Sequence, residues 1–152
     1  MAKVAIMMGS ASDQEHFVPA KELLDYFGIA YEIKILSAHR TPEATADFAR
    51  RAESCGFSLI IAGAGMAAHL PGVVASYTTL PVIGVPLPGS ALNGVDALYA
   101  IVQMPKGVPV ATMAIGQAGA GNAAIFAAEV LALQDTGIRE KLAAFRKNGC
   151  KL

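Results

Sequence analysis

One short segment of this sequence combines a side chain that can move protons with one that can bind anions. His39 and Arg40 stand side by side in residues 37–42, SAHRTP, between an apolar run and a helical pattern. Imidazole exchanges protons near neutral pH, and the planar guanidinium donates paired hydrogen bonds that suit a phosphate group. This position, at a strand end and a helix start, favours an active-site pair over an ordinary solvated pair.

A second candidate segment is GSASD at residues 9–13. Ser10 and Ser12 place hydroxyl groups beside the amides of a predicted helix start, which attract anions. Asp13 could accept hydrogen bonds from sugar hydroxyls. The same residue types also form ordinary helix caps, and taken alone the segment favours a cap.

A third candidate segment is AGAGMAAHLPG at residues 62–72. Gly63 and Gly65 would let the backbone approach a ligand closely, and His69 would either contact that ligand or hold the loop. The glycines fit neither the dinucleotide pattern G-x-G-x-x-G nor a P-loop. The sequence contains no G-x-S-x-G elbow and no clustered metal ligands. The three segments together suit a small phosphorylated sugar compound whose reaction needs only proton transfer.

The elements that must position these segments alternate along the chain. Short apolar runs predict strands, and helical spacing predicts the segments between them. The alternation predicts a doubly wound, flavodoxin-like α/β sandwich around a five-stranded parallel sheet, in which ligands bind beyond the carboxyl ends of the strands. The predicted strands are 4–8, 31–36, 58–62, 82–85 and 108–114, and the predicted helices are 14–27, 42–55, 67–78, 90–103, 119–134 and 138–147.

Residues at the helix boundaries predict how two of these helices begin and end. Asp13 is expected to cap the first helix and Gly28 to end it. Pro19 falls inside this helix and should kink it or delay its regular start. Thr41 is expected to cap the second helix, with Pro42 at its first position.

Composition narrows the class of protein. The chain has 152 residues, which suits one domain, and 54% of them are hydrophobic while 16% are charged. So much apolar surface raises the expectation of a homo-oligomer. With twelve basic and twelve acidic residues, the net charge is zero, so neither nucleic acid nor a membrane is expected as a partner. No apolar run is long enough for a signal peptide or a bilayer span, which predicts a soluble cytoplasmic protein.

Longer motifs carry a resemblance to a known family. In order from residue 8 to about residue 124, they are MGSASD, SAHRTP, IIAGAGMAAHLPG, LPVIGVP, GVDALYAIVQMPKGVPVATMAIG and NAA. In these motifs the chain closely resembles the bacterial 5-(carboxyamino)imidazole ribonucleotide mutases, in the family of the aminoimidazole ribonucleotide (AIR) carboxylase catalytic subunit. Related carboxylases that use carbon dioxide directly share the fold, but their third loop generally differs, which favours the mutase branch.

The resemblance implies a three-layer α/β/α subunit and a homo-octamer with sites shared between subunits. It implies a step of purine (IMP) biosynthesis that needs no metal or organic cofactor. The carboxylate moves from the exocyclic nitrogen of an aminoimidazole ribonucleotide to ring carbon 4, through decarboxylation and recapture of carbon dioxide. A histidine donates a proton in one step and removes one in the other. The helix at about 138–148 could pack on a neighbouring subunit.

The resemblance also assigns expected roles to residues. By position, His39 is the general acid/base, and loop residues 63–70 enclose the carboxylate or carbon dioxide. Met66 departs from the family, which usually has glycine there. The expected substrate-binding residues are Ser10 and Arg40 around the phosphate, Asp13 at the ribose, Ser12 and Ser37 as further contacts, and Ala64, Gly65, His69 and Leu70 in the enclosing loop, with His69 lining the site and not carrying the proton.

Two alternatives remain open from the sequence. The first is a carbon-dioxide-dependent AIR carboxylase with the same fold. The second is a non-catalytic, flavodoxin-like nucleotide-binding module. A receiver domain would need an acidic cluster after the first strand, where only Asp13 stands. A flavodoxin would need a phosphate loop rich in serine and threonine, and aromatic rings that stack on flavin.

Overall fold

The order of the strands determines where a ligand can bind. In a computed structural model of the chain, which describes residues 2–152, all strands run parallel in the order β2-β1-β3-β4-β5. This confirms the predicted five-stranded, flavodoxin-like sheet. The order reverses between β1 and β3, which opens a crevice beyond the carboxyl ends of these strands. The strands are β1 (Lys3–Met8), β2 (Ala30–Ile35), β3 (Leu59–Gly65), β4 (Val82–Leu87) and β5 (Ala111–Thr112).

Helices cover both faces of the sheet, which gives the three layers. A 3-10 helix, Ala11–Phe17, leads into the first α-helix without a break. Among residues 2–152, no helix is both long enough and apolar enough to cross a membrane. The helices are α1 (Val18–Phe27), α2 (Pro42–Arg51), α3 (Leu70–Tyr77), α4 (Val95–Val102), α5 (Gln117–Leu131) and α6 (Thr136–Lys147).

The core is divided between the two faces of the sheet. Along β1, Val4, Ile6 and Met8 pack in the cluster formed with α1, α5 and α6. The alternate residues Ala5 and Met7 pack in the cluster formed with α2 and α3. All five side chains are fully buried, since a parallel sheet covered on both sides has no solvent-facing surface at its centre. This arrangement holds the strand ends, and therefore the loops after them, at fixed positions.

Proline and glycine set the limits of α1. The regular helix starts only at Val18, with Pro19 in its first turn, so the prediction that Pro19 delays the start is confirmed. Gly28 ends α1 with φ +73°, as predicted. The predicted cap at Asp13 is wrong. The hydroxyl of Ser10 accepts the amide hydrogen of Ser12 at 3.3 Å and caps the 3-10 helix, because the chain bends there before Asp13 is reached.

The last strand is shorter than the sequence pattern predicts. Only Ala111 and Thr112 pair with β4, against a predicted strand of seven residues at 108–114. Pro109 has no amide hydrogen to donate to a ladder, and β5 is an edge strand with one neighbour. Beyond β5, isolated hydrogen bonds keep the chain beside β4. The Met113 amide donates to the Gly84 carbonyl, and the Gly116 amide donates to the Pro86 carbonyl.

The C-terminal helix packs on its own chain along one face. Ile138, Leu142 and Phe145 of α6 are buried. The ring of Phe145 meets that of Phe27 in α1 edge to face, with 5.6 Å between the ring centroids. The opposite face of α6 is exposed.

Candidate active site

The loops that follow β1, β2, β3 and β4 surround one pocket of about 550 Å³. It lies at the carboxyl ends of the strands, where the topology predicts a ligand site. A smaller groove of about 310 Å³ between α1, α5 and the C-terminal residues contains no histidine or arginine. The strand-end pocket is therefore the candidate active site. All ten residues predicted for the site line it: Ser10, Ser12, Asp13, Ser37, His39, Arg40, Ala64, Gly65, His69 and Leu70.

The pocket also includes residues that sequence reasoning missed. Glu15 adds a second carboxylate beside Asp13. Met66, which lies in the predicted enclosing loop, also lines the pocket with its long apolar side chain. Pro88 and Gly89 follow β4. The rule that ligands bind at strand ends could have identified these two residues, but no single side chain there indicates chemistry.

Hydrogen bonds fix the loop that carries His39 and Arg40. The Thr41 hydroxyl accepts the Ser37 amide hydrogen at 2.9 Å, and the Arg40 amide donates to the Ser37 hydroxyl at 3.2 Å. Beneath the loop, the Thr45 hydroxyl lies 3.1 Å from the Ser37 carbonyl and 2.9 Å from that of Thr41. His39 and Arg40 therefore project from a turn whose conformation is held by several hydrogen bonds.

Thr41 stands at the predicted cap position, but its side chain acts differently. It precedes α2, and Pro42 is the first residue of that helix, as the sequence indicates. Its hydroxyl bonds back to Ser37 and makes no cap hydrogen bond to the helix. The side chain therefore closes the turn on which the candidate catalytic residues lie.

A hydrogen bond joins the two histidines of the pocket. Nε2 of His39 lies 2.8 Å from Nδ1 of His69, and the rings are nearly perpendicular at 87°. One nitrogen must donate and the other accept, so the bond requires at least one of the two nitrogens to be unprotonated. The contact ties the loop after β2 to the loop after β3. It also fixes the orientation of the His39 ring.

The loop after β1 places two hydroxyls and a carboxylate on the pocket. The hydroxyl oxygens of Ser10 and Ser12 lie 2.8 Å apart. Burial raises the pKa of the Asp13 carboxyl, while a hydrogen bond with the Ser10 backbone and the nearby His16 oppose this effect. A ligand hydroxyl that donates to Asp13 would replace water that the carboxylate has lost on burial.

Arg40 has a free guanidinium. It lines the pocket with an exposed side chain, and within residues 2–152 no acidic side chain forms an ion pair with it. A guanidinium without an internal partner can give both of its paired donors to a phosphate.

Gly63 packs closely against an aromatic ring. A Cβ atom built at Gly63 would lie 2.4 Å from the ring of Phe17, which is fully buried at the end of the 3-10 helix. Packing against Phe17 therefore accounts for a glycine at this position, and Gly63 is not among the residues that line the pocket. Gly65, two residues further on, does line the pocket.

These features define a class of α/β protein that binds a small ligand at the switch point of a flavodoxin-like sheet. Residues 3–151 match the model of the family described as AIR carboxylase. The chain belongs to this family, in agreement with the resemblance seen in the sequence.

Similar proteins cover nearly the whole chain. The N5-carboxyaminoimidazole ribonucleotide mutase of Vibrio vulnificus (strain CMCP6) is 55% identical over 144 residues, which span 95% of this chain and 89% of the relative. The protein of the same name from Saccharolobus solfataricus is 54% identical over 148 residues, 97% of this chain and 92% of the relative. The crystal structure of Treponema denticola PurE superimposes with a TM-score of 0.89 at 30% identity, over 99% of this chain and 92% of that one.

Proposed function

We propose that this protein is a 5-(carboxyamino)imidazole ribonucleotide mutase. It moves the carboxylate from the exocyclic nitrogen to ring carbon 4 and forms 4-carboxy-5-aminoimidazole ribonucleotide in purine (IMP) biosynthesis. One observation carries the proposal. More than half of the aligned residues are identical to those of relatives named as this mutase, and the alignments cover about nine-tenths of each relative. The pocket supports it with one imidazole pair, one free guanidinium and the hydroxyl-rich loop after β1.

The proposed reaction needs two proton transfers, which one imidazole can perform in turn. The bond between the exocyclic nitrogen and the carboxylate carbon breaks, its electron pair stays on nitrogen, and protonated His39 donates a proton there. Carbon dioxide is released into the pocket. Ring carbon 4 then attacks it with the electrons of the enamine-like ring. Neutral His39 takes the proton from that carbon, which restores the aromatic ring and the protonated imidazole.

The His39–His69 contact supports this division of roles. Nε2 of His39 is hydrogen-bonded to Nδ1 of His69 at 2.8 Å, whereas Nδ1 of His39 has no hydrogen-bond partner within residues 2–152. Nδ1 can therefore meet the substrate while the bond to His69 keeps the ring oriented. His69 is a site-lining residue in this proposal and does not carry the transferred proton.

The remaining residues hold the nucleotide. Arg40 and the Ser10 hydroxyl bind the phosphate, Asp13 accepts hydrogen bonds from the ribose hydroxyls, and Ser12 and Ser37 supply further contacts. The loop after β3 encloses the reacting carboxylate. Ala64 and Gly65 at the end of β3 and Leu70 at the start of α3 flank this loop, and the buried Leu70 side chain gives the pocket an apolar wall that helps to exclude water.

The decisive experiment supplies the two possible substrates separately. We expect the carboxyamino ribonucleotide to be converted to the 4-carboxy product, and AIR with bicarbonate to react poorly. If AIR with bicarbonate reacts efficiently and the carboxyamino ribonucleotide does not, the protein is the carboxylase instead. Binding of nucleotide with no turnover of either substrate would identify the non-catalytic module.

The proposal includes a homo-octamer in the cytoplasm, with sites at subunit interfaces. One face of α4 and the turn before it supports assembly, because it exposes large apolar side chains at helical spacing. These are Leu92, Val95, Tyr99 and Val102, which are 62%, 43%, 64% and 48% exposed.

A further inference from the structure

Met66 lies on the pocket in a backbone conformation that side chains disfavour. Its φ is +55°, in the left-handed region, where the Cβ atom of an L-residue crowds the following carbonyl oxygen. Among residues 2–152, the other non-glycine residues with positive φ are Asn93 and Cys150, and neither lines this pocket. Strained residues of this kind concentrate at functional sites, where another interaction compensates for the strain.

The Met66 side chain has no internal interaction that explains the strain. It is 65% exposed, so little of it contributes to the core. Leu70, the other long aliphatic side chain on the pocket, is 3% exposed. A side chain that stabilised the fold would be buried or would have a relaxed backbone. Met66 is exposed, and its backbone is strained. The contact that compensates for its backbone is therefore expected outside the free chain.

The chemistry of the side chain indicates what it contacts. A thioether is polarizable and flexible, and it packs well against the face or edge of a flat ring. Met66 shares the pocket with His39 and His69, where the proposed reaction takes place. Its neighbours Gly65 and Ala67 have no bulky side chains that would hold it away from a ligand.

We propose that Met66 is a specificity-determining residue that packs on the heterocycle of the bound ribonucleotide and keeps released carbon dioxide beside it. This inference rests on the proposed function. Without the side chain, the substrate binds less tightly and part of the carbon dioxide escapes before ring carbon 4 captures it. The escape leaves free AIR, so the ratio of AIR to 4-carboxy product measures the loss.

The first test compares Met66→Gly with Met66→Leu in the intact enzyme. For Met66→Gly we expect a KM about 2–10-fold higher, from the loss of the apolar packing of the side chain against the ring, and a larger AIR fraction. Its Tm should not fall, because glycine adopts φ +55° without strain. Met66→Leu keeps apolar bulk and the strained backbone, so its KM and AIR fraction should stay within about twofold of the wild type.

The outcomes separate this inference from the proposed function. A wild-type chain that turns over neither substrate would refute both. An active wild type, together with Met66→Gly of unchanged KM and AIR fraction, would refute only the role of Met66. A Met66→Gly variant that changes the mass of the assembly and leaves KM unchanged would assign the residue to a subunit contact and would also overturn the inference.

A second test uses the sulfur itself as a reporter. Mild hydrogen peroxide converts exposed methionine to its sulfoxide, and peptide mass spectrometry measures the rate at each position. We expect the 4-carboxy product nucleotide to slow oxidation of Met66 severalfold. Met104 and Met113 are partly exposed outside the pocket and serve as references in the same chain. Oxidation of Met66 at an unchanged rate, with saturating nucleotide bound, would contradict the proposed contact.

Discussion

At the scale of single residues, the proposed function assigns proton transfer and anion binding to two adjacent residues. His39 is held by His69 at 2.8 Å, while Arg40 beside it has no internal ion pair within residues 2–152. The oriented imidazole suits a group that must meet a reacting atom at a fixed position. The free guanidinium suits a group that must give all its donors to a ligand. Two substitutions can test this division.

His39→Asn should abolish turnover and spare binding. We expect the rate to fall about 100–10,000-fold, because the amide cannot exchange a proton near neutral pH. Nucleotide affinity, measured by calorimetry, should stay within a few fold, since Arg40 and the serine hydroxyls remain. His16→Asn is the matched control, because His16 does not line the pocket. Turnover by His39→Asn at the wild-type rate would refute the role of His39.

Arg40→Lys should weaken binding more than it slows chemistry. An ammonium group has the charge but lacks the paired donors of the guanidinium. We expect KM to rise about tenfold, equivalent to about 1.4 kcal/mol, with little change in kcat. Arg50→Lys is the control, because the Arg50 guanidinium stacks on the Tyr77 ring at 4.5 Å, away from the pocket. Equal effects of the two substitutions on KM would contradict a phosphate contact.

At the scale of elements, α2 supports the loop that carries His39 and Arg40. Thr45 lies in α2 with none of its surface exposed, and its hydroxyl reaches the carbonyls of Ser37 and Thr41. A buried hydroxyl is costly unless it is bonded, so this side chain fits only when the loop has the observed shape. The position of the loop is thus tied to the packing of the helix.

Thr45→Val tests this support, because valine keeps the shape and removes the hydroxyl. We expect the free energy of unfolding to fall by about 1–2 kcal/mol, from the loss of a buried hydrogen bond, with a lower kcat as the His39 loop loosens. Thr45→Ser retains the hydroxyl and should recover most of kcat. Urea unfolding and initial rates measure the two effects. A valine variant with wild-type kcat would show that the loop does not depend on this bond.

The pairing of β1 with β2 carries a charge cluster that should respond to acid. Glu32 accepts hydrogen bonds from Lys3 at 2.8 Å and Lys34 at 2.7 Å, and these contacts lower its pKa to about 2. A lowered pKa in the folded state contributes stability that is complete above the ordinary value of 4.5 and is lost as the pH falls towards about 2.

Glu32→Gln should therefore flatten the acid side of the stability curve between about pH 4.5 and pH 2. The effect should be modest, because the cluster is exposed, and it should shrink at high salt. Urea unfolding over this pH range measures it. A variant whose stability falls with pH as steeply as that of the wild type would rule out Glu32 as a source of the dependence.

At the scale of the whole molecule, we expect an exposed apolar face to be covered by another copy of the chain. The exposed face of α4 and its preceding turn is formed by Leu92, Val95, Tyr99 and Val102. An apolar patch of this kind on a chain with few charges is typical of a subunit interface.

Light scattering should give a mass of about eight times the 15.7 kDa of one chain. Tyr99→Glu places a charge on the exposed α4 face and should reduce this mass, because an unpaired charge is costly in an apolar interface. Glu53→Lys, at an exposed position just beyond α2, should leave the mass unchanged. A wild-type mass of one chain would contradict assembly.

Much of the fold and the candidate site followed from the sequence alone. Alternating apolar runs and helical segments determined the parallel sheet, because each pattern reflects the faces that its own element must bury. A parallel sheet brings all strand ends to one edge. For that reason, three segments distant in sequence could be assigned to one pocket. The ten residues that the family resemblance selects in these segments all line it. The sequence also predicted the effects of Pro19 and Gly28 on the ends of α1, because these effects are local.

Only the tertiary structure decided how these residues act on one another. Three contacts depend on distances between separate elements. They are the hydrogen bond between His39 and His69, the packing of the Phe17 ring against Gly63, and the hydrogen bond from the Thr45 hydroxyl to the loop that carries His39. The register of the strands and the packing of helices on them determine those distances, and no local pattern encodes them. The left-handed backbone of Met66 likewise depends on where the ends of β3 and α3 are held.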